Sequence, residues 1–359
     1  MNKKTGLYYE KVADLLRNRI QSESYPVNTK IPSEDSLARE LDYSRPTIKR
    51  AIDLLEGEGL VRCRPTVGTF VVKKTVIRHT IGYIPPTLTD PFHAEVIREL
   101  DSNVKSLSGS ILVAEGGRSL SQYLNAIERL KKNGATGIIL SDGEEDWWKK
   151  MRKTNIPCIW CGGIPASPEV DRISINDASS ISVLLSHLAE IGVKSVGYAG
   201  SGQDAFCSRD RYSHFRDLMG NYGLHTESFW NFLVNDPGEA GGRKILSQFL
   251  YYPPLPDAIV CYNDWTAIGL IKEALANGIQ VPRQLKVTGF DNLLLGRYFQ
   301  IPLTTIDYQI PLLVKTALEL LMRRIRQSNK PPETILIEGV LQTRSSTVEN
   351  NLPDAAADF

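Results

Sequence analysis

The sequence predicts an α/β protein in two parts: a small N-terminal helical unit closed by a β-hairpin, then a large two-lobed domain of parallel sheets wrapped by helices. Three observations predict it. The first 72 residues carry three short amphipathic stretches followed by two strand-like runs. From Ile81 onward, short apolar runs alternate with helical stretches, the pattern of parallel strands covered by helices. A chain of 359 residues also exceeds one ordinary core, so two or three compact units are expected.

Composition removes several classes. A hydrophobic content of 42% and a charged content of 23% are ordinary for a globular protein. No apolar run follows Lys3 and Lys4, and no stretch approaches the roughly 20 apolar residues that span a membrane. The expectation is a cytoplasmic chain without membrane contact. Five cysteines (Cys63, Cys158, Cys161, Cys207 and Cys261) are few, odd in number and scattered, which suits free thiols. Cys158-x-x-Cys161 lacks a second pair and sits in the apolar run Ile156 to Cys161, so it reads as a buried strand rather than a metal half-site. Neither metal nor cofactor is expected. Residues 1–75 hold 14 Lys/Arg against 10 Asp/Glu, and the remainder 28 against 31, a small positive excess where phosphate contact would need it.

The head is built element by element. Val12, Leu15, Leu16 and Ile20 give the first helix, over Tyr9 to Ile20, one apolar face. Pro26, Asn28 and Pro32 break the chain. Ser33 is placed to cap a second helix, with Glu34 and Asp35 in its first turn and Leu37, Ala38 and Leu41 as its stripe. Asp42-Tyr43 turns, Ser44 is the next cap candidate, and Pro46 is tolerated in a first helical turn. Ile48, Ala51, Ile52 and Leu55 bury one side of the third helix, leaving Pro46, Lys49, Arg50 and Asp53 outside, with Arg45 and Thr47 at its tip. In a helix-turn-helix such a tip reaches base edges in the major groove; Arg can bond guanine through two donors, and Ser, Thr and the helix end can hold phosphate. Gly57-Glu58-Gly59 stops the helix. Leu60 to Arg64 and Thr69 to Val72 then form a hairpin wing around Pro65 to Gly68, flanked by Arg62 and Arg64. The same pattern also fits a three-helix unit for protein contact, with Arg45 and Arg50 merely solvated.

Residues 7–72 resemble the DNA-binding domain of the GntR family of bacterial regulators. The resemblance lies in Ile31-Pro32-Ser33-Glu34, Leu37-Ala38, Ser44-Arg45-x-Thr47-Ile48, Ala51, Leu54-Leu55, Glu58-Gly59-Leu60 and Gly68-Thr69-Phe70-Val71. It implies that Ser44, Arg45 and Thr47 form the DNA-contacting tip, that Lys49 is a basic contact in the same helix, and that Gly68 is the wing-tip glycine. Arg50 and Arg64 join them as DNA-binding candidates by position. Asp35 stands where that family usually has Arg, and Pro46 replaces a Thr or small residue, so no operator sequence carries over. Lys73 to Thr80 reads as a polar connector.

In the larger part, Ile81 to Ile84 precedes a helix near 92–107, Ser110 to Ala114 one near 119–133, and Gly137 to Leu140 and Ser195 to Ala199 read as further strands. Ala258 to Tyr262 precedes a helix capped by Asn263 and ended by Gly278. With about 265 residues, two sheets are expected, with a ligand cleft between lobes at the strand C-termini. Asp291 falls just past a strand end, where its carboxylate can accept hydrogen bonds from ligand hydroxyls; Asn263 and Asp291 read equally well as structural caps.

Residues 80–345 resemble the effector domain of the LacI/GalR repressors and the periplasmic sugar-binding proteins. The supporting motifs are Asp90-Pro91-Phe92-x-Ala94-Glu95, Asn133-Gly134-x-x-Gly137-Ile138-Ile139, His187-Leu188-x-x-Ile191-Gly192, Arg211-x-x-x-Phe215, Asn263-Asp264, Gly289-Phe290-Asp291-Asn292 and Pro302-Leu303-Thr304-Thr305-Ile306. The resemblance implies that Arg211 grips ligand hydroxyls, carbonyl or carboxylate, that Asp291 binds hydroxyls, that Phe92 and His93 touch the ligand, and that Asn263 and Trp265 open a helix facing the cleft. Trp160 is a further candidate; Trp160 and Trp265 read slightly better as packing residues. Gly162 stands where some relatives place a polar cleft residue.

A GntR-type head on a LacI/GalR-type sensor is similar to the AraR class of arabinose repressors. The expectation is therefore a homodimeric repressor of carbohydrate-utilisation genes, bound to double-stranded operator DNA and released by a small effector, a sugar. Two alternatives remain: a solute-binding protein without regulatory role, and a corepressor-type regulator answering a non-sugar metabolite. No Gly-x-Ser-x-Gly elbow, Walker loop or His-Glu-x-x-His is present, so no enzyme is expected. The expected boundaries are 1–72 for the head, 73–80 for the linker, 81–346 for the sensor and 347–359 for a disordered tail. No Leu-rich heptad follows residue 345, which favours a dimer over a tetramer.

Overall fold

The computed structural model describes residues 5–21, 24–72, 79–107, 109–144, 147–162, 169–201, 206–235, 238–327 and 330–349. The chain divides into two compact units, Met1–Arg78 and His79–Phe359.

The head orders α1 (Thr5–Gln21), α2 (Glu34–Leu41), α3 (Arg45–Gly57), β1 (Val61–Arg64) and β2 (Gly68–Val71). Val12, Ala13 and Leu16 of α1 share a core with Leu37, Ile48, Ala51, Ile52, Leu55, Leu60, Val61 and Val71. Leu15, expected on that face, is 43% exposed. At about 100° per residue, Val12, Ala13, Leu16 and Ile20 fall on one side of the helix and Leu15 about 115° from its centre. Ser33 caps α2 by accepting from the Ser36 amide at 3.2 Å. Asp42, in the left-handed region at φ 56°, makes the turn into α3. β1 and β2 pair antiparallel, with Val61 opposite Val71 and Arg64 opposite Gly68.

The second unit begins with β3 (Thr80–Ile84), α4 (Pro91–Ser106), β4 (Ser110–Val113), α5 (Leu120–Lys132), β5 (Gly137–Ser141), α6 (Trp147–Met151), β6 (Cys158–Cys161) and β7 (Arg172–Ile175). The chain then enters a second lobe as α7 (Asp177–Glu190), β8 (Val196–Ser201), α8 (Phe206–Leu218), β9 (Asn231–Val234), α9 (Gly238–Tyr251), β10 (Ala258–Cys261), α10 (Asp264–Ala276), β11 (Lys286–Asp291), α11 (Leu294–Arg297) and β12 (Thr304–Asp307). It returns to the first lobe as α12 (Ile310–Arg326) and β13 (Thr334–Ile337), and crosses once more to β14 (Val340–Gln342).

The first sheet has the order β13-β7-β6-β5-β3-β4, all parallel. The second has the order β14-β12-β11-β10-β8-β9, parallel except for β14. Central strands such as β5, β6 and β10 are buried at every position, because helices cover both faces of a parallel sheet. This is the mixed α/β, two-lobed architecture that the alternation predicts.

Three crossovers join the lobes, and side chains tie them together. Asn176 Nδ2 donates to Glu338 Oε1 at 2.9 Å, Ser179 Oγ donates to the same carboxylate, and Gln309 Nε2 donates to the Glu338 carbonyl at 2.6 Å. Gly339 lets the chain pass closely there, since a Cβ would lie 2.3 Å from Ser180 Oγ and 2.5 Å from Ile306 Cγ2.

Some boundaries shift. Thr80, expected in the linker, opens β3, and residues 73–78 lie outside the described residues. Thr347, expected in a disordered tail, is 2% exposed and its hydroxyl meets His187 Nε2 at 2.9 Å and Thr304 Oγ1 at 2.7 Å. The packed domain therefore runs past residue 346; residues 350–359 lie outside the described ones. Cys158 and Cys161 are buried in β6, and burial pushes both thiols up to about 12. Among the described residues no group of three His, Cys, Asp or Glu could hold a metal, and no helix is long and apolar enough to cross a membrane.

Candidate functional site

A cavity of about 490 Å³ lies between the two lobes of the second unit, within the range of small-molecule sites. Its walls come from the C-terminal ends of the strands, where open α/β sheets bind ligands. The first lobe supplies Asp90, Phe92 and His93 at the start of α4, the turn Ser141 to Glu144 after β5, and Trp147 of α6. The second supplies Ser201 at the end of β8, Cys207 and Arg211 on α8, Tyr262 and Asn263 after β10, and Asp291 at the end of β11. Tyr308, on a crossover, closes the wall between them.

Arg211 is 2% exposed. Its Nε donates to Asp177 Oδ1 at 2.8 Å and its Nη1 to the Tyr262 carbonyl at 2.5 Å, while its guanidinium lies 3.7 Å from the Phe290 ring centre. Burial opposes the charge, but Asp177, Tyr308, Cys207 and Asp291 together outweigh it and hold Arg211 protonated. Its Nη2 makes no protein hydrogen bond among the described residues, and the residue lines the cavity.

Asp291 is 6% exposed, and its carboxylate also makes no protein hydrogen bond among the described residues. Burial raises its pKa well above the usual carboxylate range, against the pull of Arg211. Its φ of 115°, followed by 58° at Asn292, is unusual for side chains other than glycine. Such strain persists where surrounding structure fixes it, and it collects at binding sites. Asn263 caps α10 through Oδ1, which accepts from the Thr266 amide at 2.9 Å; its Nδ2 has no protein partner among the described residues. The cap and a ligand contact are thus compatible in one side chain.

On the opposite wall, Asp90 caps α4 by accepting from the Phe92 amide at 2.9 Å, and burial raises its pKa. His93 Nδ1 shares a hydrogen bond with Tyr83 OH at 2.8 Å, and burial lowers the imidazole to about 3, so it is neutral. Phe92 meets Tyr308 edge-on, with ring centres 5.1 Å apart. At the rim, Arg209 Nη2 donates across the cleft to Glu144 Oε1 at 2.9 Å.

Two expected ligand residues stand elsewhere. Trp160 is buried in β6, where its Nε1 donates to the Asp142 carbonyl at 3.1 Å and its ring underlies Gly143, leaving 2.1 Å for a Cβ there. It supports the cavity turn without lining it. Trp265 packs on Gly238 at the start of α9, where a Cβ would lie 2.1 Å from its ring. It does not line the cavity, because two residues past the Asn263 cap the helix has turned by about 200°. The lining indole is Trp147, which packs on Tyr123 at 5.0 Å. Its signal was a Trp pair just beyond the strand at Gly137 to Leu140. Tyr262, at a strand end, and Tyr308, on a crossover, also line the cavity, and no local pattern in the sequence marks either.

The walls carry Asp90, Glu115, Asp142, Glu144 and Asp291 against Arg118 and Arg211. Carboxylates, an amide and a guanidinium beside aromatic edges can bond hydroxyls and pack apolar C–H faces. An excess of acidic groups disfavours an anion.

In the head, Ser44, Arg45, Lys49 and Arg50 are exposed at and along α3. Thr47 is 8% exposed, with its hydroxyl 2.8 Å from Ser44 Oγ. Ser44 therefore makes no side-chain cap to the backbone. On the wing, Arg64 lies 4.9 Å over the Phe70 ring. Gly68, at φ 128°, is crossed by the Lys30 stem, which leaves 2.2 Å for a Cβ.

Residues 8–71 match the bacterial regulatory proteins of the gntR family, and residues 185–347 match a periplasmic binding protein-like domain. A relative from Photobacterium profundum, named HTH-type transcriptional repressor PurR, is 27% identical over 276 residues, covering 76% of this chain and 82% of its own. The dimeric Lac repressor with an 11-residue C-terminal deletion superposes with a TM-score of 0.70 at 18% identity, covering 75% of this chain and 98% of the other. A periplasmic binding protein/LacI transcriptional regulator from Alkaliphilus metalliredigens QYMF, complexed with D-xylulofuranose, superposes with a TM-score of 0.66 at 21% identity, covering 75% and 99%.

Proposed function

Starting from a chain that joins a GntR-type helix-turn-helix domain to a periplasmic-binding-protein-like domain, a ligand-responsive DNA-binding transcription repressor, we propose that its effector is a neutral monosaccharide bound between the lobes. One observation carries this: Asp291 and Arg211, residues 6% and 2% exposed, line one cavity, and the Asp291 carboxylate and the Arg211 Nη2 make no protein hydrogen bond among the described residues. Polar groups of buried residues are normally paired within the protein, so two that open onto one cavity instead mark a place for ligand hydroxyls. Asn263 Nδ2 offers a further donor, and Phe92, Trp147 and Tyr308 offer faces and edges for C–H groups. The solved relative that holds D-xylulofuranose supports the same ligand class.

In the head, Ser44, Arg45, Lys49 and Arg50 of α3, with Arg64 and Gly68 of the wing, contact operator DNA. Thr47 acts through Ser44, whose hydroxyl it holds. A homodimer reads a two-fold operator, as symmetric proteins read symmetric DNA, and the dimeric state of the solved Lac repressor supports that assembly. The sugar releases the operator by binding the DNA-incompetent form more tightly.

The test is a thermal-shift panel of neutral sugars, sugar phosphates and nucleobases, followed by operator titration. A neutral sugar raises the melting temperature and weakens DNA binding. Stabilisation by a nucleobase or a sugar phosphate, with none by a neutral sugar, refutes the effector class. A sugar that tightens operator binding reverses the sign of the response.

A further inference from the structure

We propose that Asp35 is a specificity-determining residue of the head, which accepts a hydrogen bond from the exocyclic amine of a cytosine next to the guanine read by Arg45. The proposal rests on the reading that α3 enters the major groove.

The first turn of α2 and the first residue of α3 meet at one place. Arg45 Nε donates to Glu34 Oε2 at 3.1 Å, and Asp35 Oδ1 lies 3.5 Å from the same nitrogen. Both carboxylates thus engage the inner edge of the guanidinium. Its two Nη groups have no protein hydrogen bond among the described residues. They form a fork of N–H donors whose geometry matches O6 and N7 of guanine. An exposed ion pair adds little stability. Its effect here is on orientation, since a long side chain at a helix tip is held by one nitrogen with its outer edge turned out.

Glu34 and Asp35 are not equivalent. The Glu34 side chain is 31% exposed and the Asp35 side chain 62%. Glu34 accepts the hydrogen bond from Arg45, whereas Asp35 is only its charged neighbour at 3.5 Å, and neither carboxylate oxygen of Asp35 accepts a hydrogen bond among the described residues. A carboxylate accepts and cannot donate. Next to DNA it is repelled by phosphate at every sequence. That repulsion is offset only where a donor faces it, and the base-edge donor a carboxylate takes in the major groove is the cytosine N4 amine. Asp35 therefore lowers affinity for most duplexes and restores it at those that place a cytosine beside the guanine of Arg45.

The test is enrichment of duplexes from a randomised library by the full-length protein and by Asp35→Ala, Asp35→Asn and Arg45→Ala variants, each first checked by thermal melting. The wild-type protein enriches sites with a guanine and a neighbouring cytosine. Asp35→Ala keeps the guanine but loses about tenfold of the preference for cytosine. Asp35→Asn, which keeps the shape, moves that position toward adenine, the base whose N6 and N7 suit an amide. If Asp35→Ala enriches the same sites with the same preferences, or binds all duplexes more tightly by one common factor, Asp35 reads no base and the proposal fails by itself. Failure of the wild-type protein to enrich any sequence, or unchanged preferences in Arg45→Ala, overturns the underlying reading of α3 as well.

Discussion

Replacing Asp291 by Asn separates a ligand contact from a structural cap. The exchange keeps the shape but removes the ionisable carboxyl group, which belongs to a residue 6% exposed and has no protein hydrogen bond among the described residues. Its partners are then ligand hydroxyls, which with Arg211 favour the ionised form once bound, and a hydrogen bond to a charged group contributes about 1.5–3 kcal/mol. The dissociation constant should rise by roughly 10- to 150-fold. With sugar at about 100 times the wild-type Kd, binding stabilises the wild-type protein by about 2.7 kcal/mol. A hundredfold weaker variant keeps about 0.4 kcal/mol under the same conditions. At about 2–4 °C per kcal/mol for a domain of this size, the ligand-induced rise in Tm falls from about 5–11 °C to about 1–2 °C. The unliganded variant behaves in the opposite sense. Burial raises the Asp291 pKa, so ionising it costs stability above the ordinary carboxylate range, and a neutral amide removes that cost. The unliganded Tm near pH 8 should hold or rise. Scanning fluorimetry with and without the sugar reads both quantities. A variant whose unliganded Tm drops by several degrees while the sugar increment survives would show that Asp291 only caps its strand, and the cavity argument would be wrong.

Other outcomes follow from the same structure. Burial holds His93 at about 3, below its ordinary 6.5, so the unfolded chain binds a proton the folded chain refuses, and stability falls as pH drops below 6.5. His93→Gln should lessen the loss between pH 6.5 and 4.5 by about 2 kcal/mol, read as urea midpoints; parallel pH profiles would contradict the burial argument. Trp160→Ala should cost about 3–5 kcal/mol of stability, as for a large buried side chain, whereas Trp147→Ala should weaken sugar affinity with a smaller loss of stability. Calorimetry that reverses the two would restore Trp160 as the stacking residue. Lys49→Ala and Arg64→Ala should each weaken binding to all duplexes and reduce the slope of log K against log salt by about 1; a change confined to one sequence would make them base readers.

Periodicity located most of the architecture. Alternating apolar runs and helices mark β3, β4, β5, β8 and β10, because parallel strands covered on both faces read as continuous apolar stretches. The capping roles of Ser33 and Asn263 were visible because cap chemistry is local. Phe92, His93, Arg211, Asn263 and Asp291 do meet around one cavity, though the resemblance, rather than periodicity, pointed to most of them. What stayed hidden depends on long-range placement. Trp160 and Trp147 lie 13 residues apart in the same lobe, and Trp160 packs under the turn at Asp142 and Gly143 while Trp147 lines the cavity. The Arg211–Asp177 pair joins helices α7 and α8, and no local spacing announces it. Leu15 fits an apolar pattern by composition but falls off the buried arc by angle.

The threefold passage between lobes also has a consequence for how the molecule is made. β7 borders β13 in the first sheet, and β13 is supplied by residues 334–337, after the whole second lobe has been synthesised. Until those residues leave the ribosome, the β7 flank stands as an unpaired edge, the kind that invites pairing with another chain. α12, which covers β5, β6 and β7, arrives equally late. A nascent chain stopped near residue 305 would therefore carry a first lobe with an open flank and an uncovered face, prone to aggregate rather than to stand as an independent half.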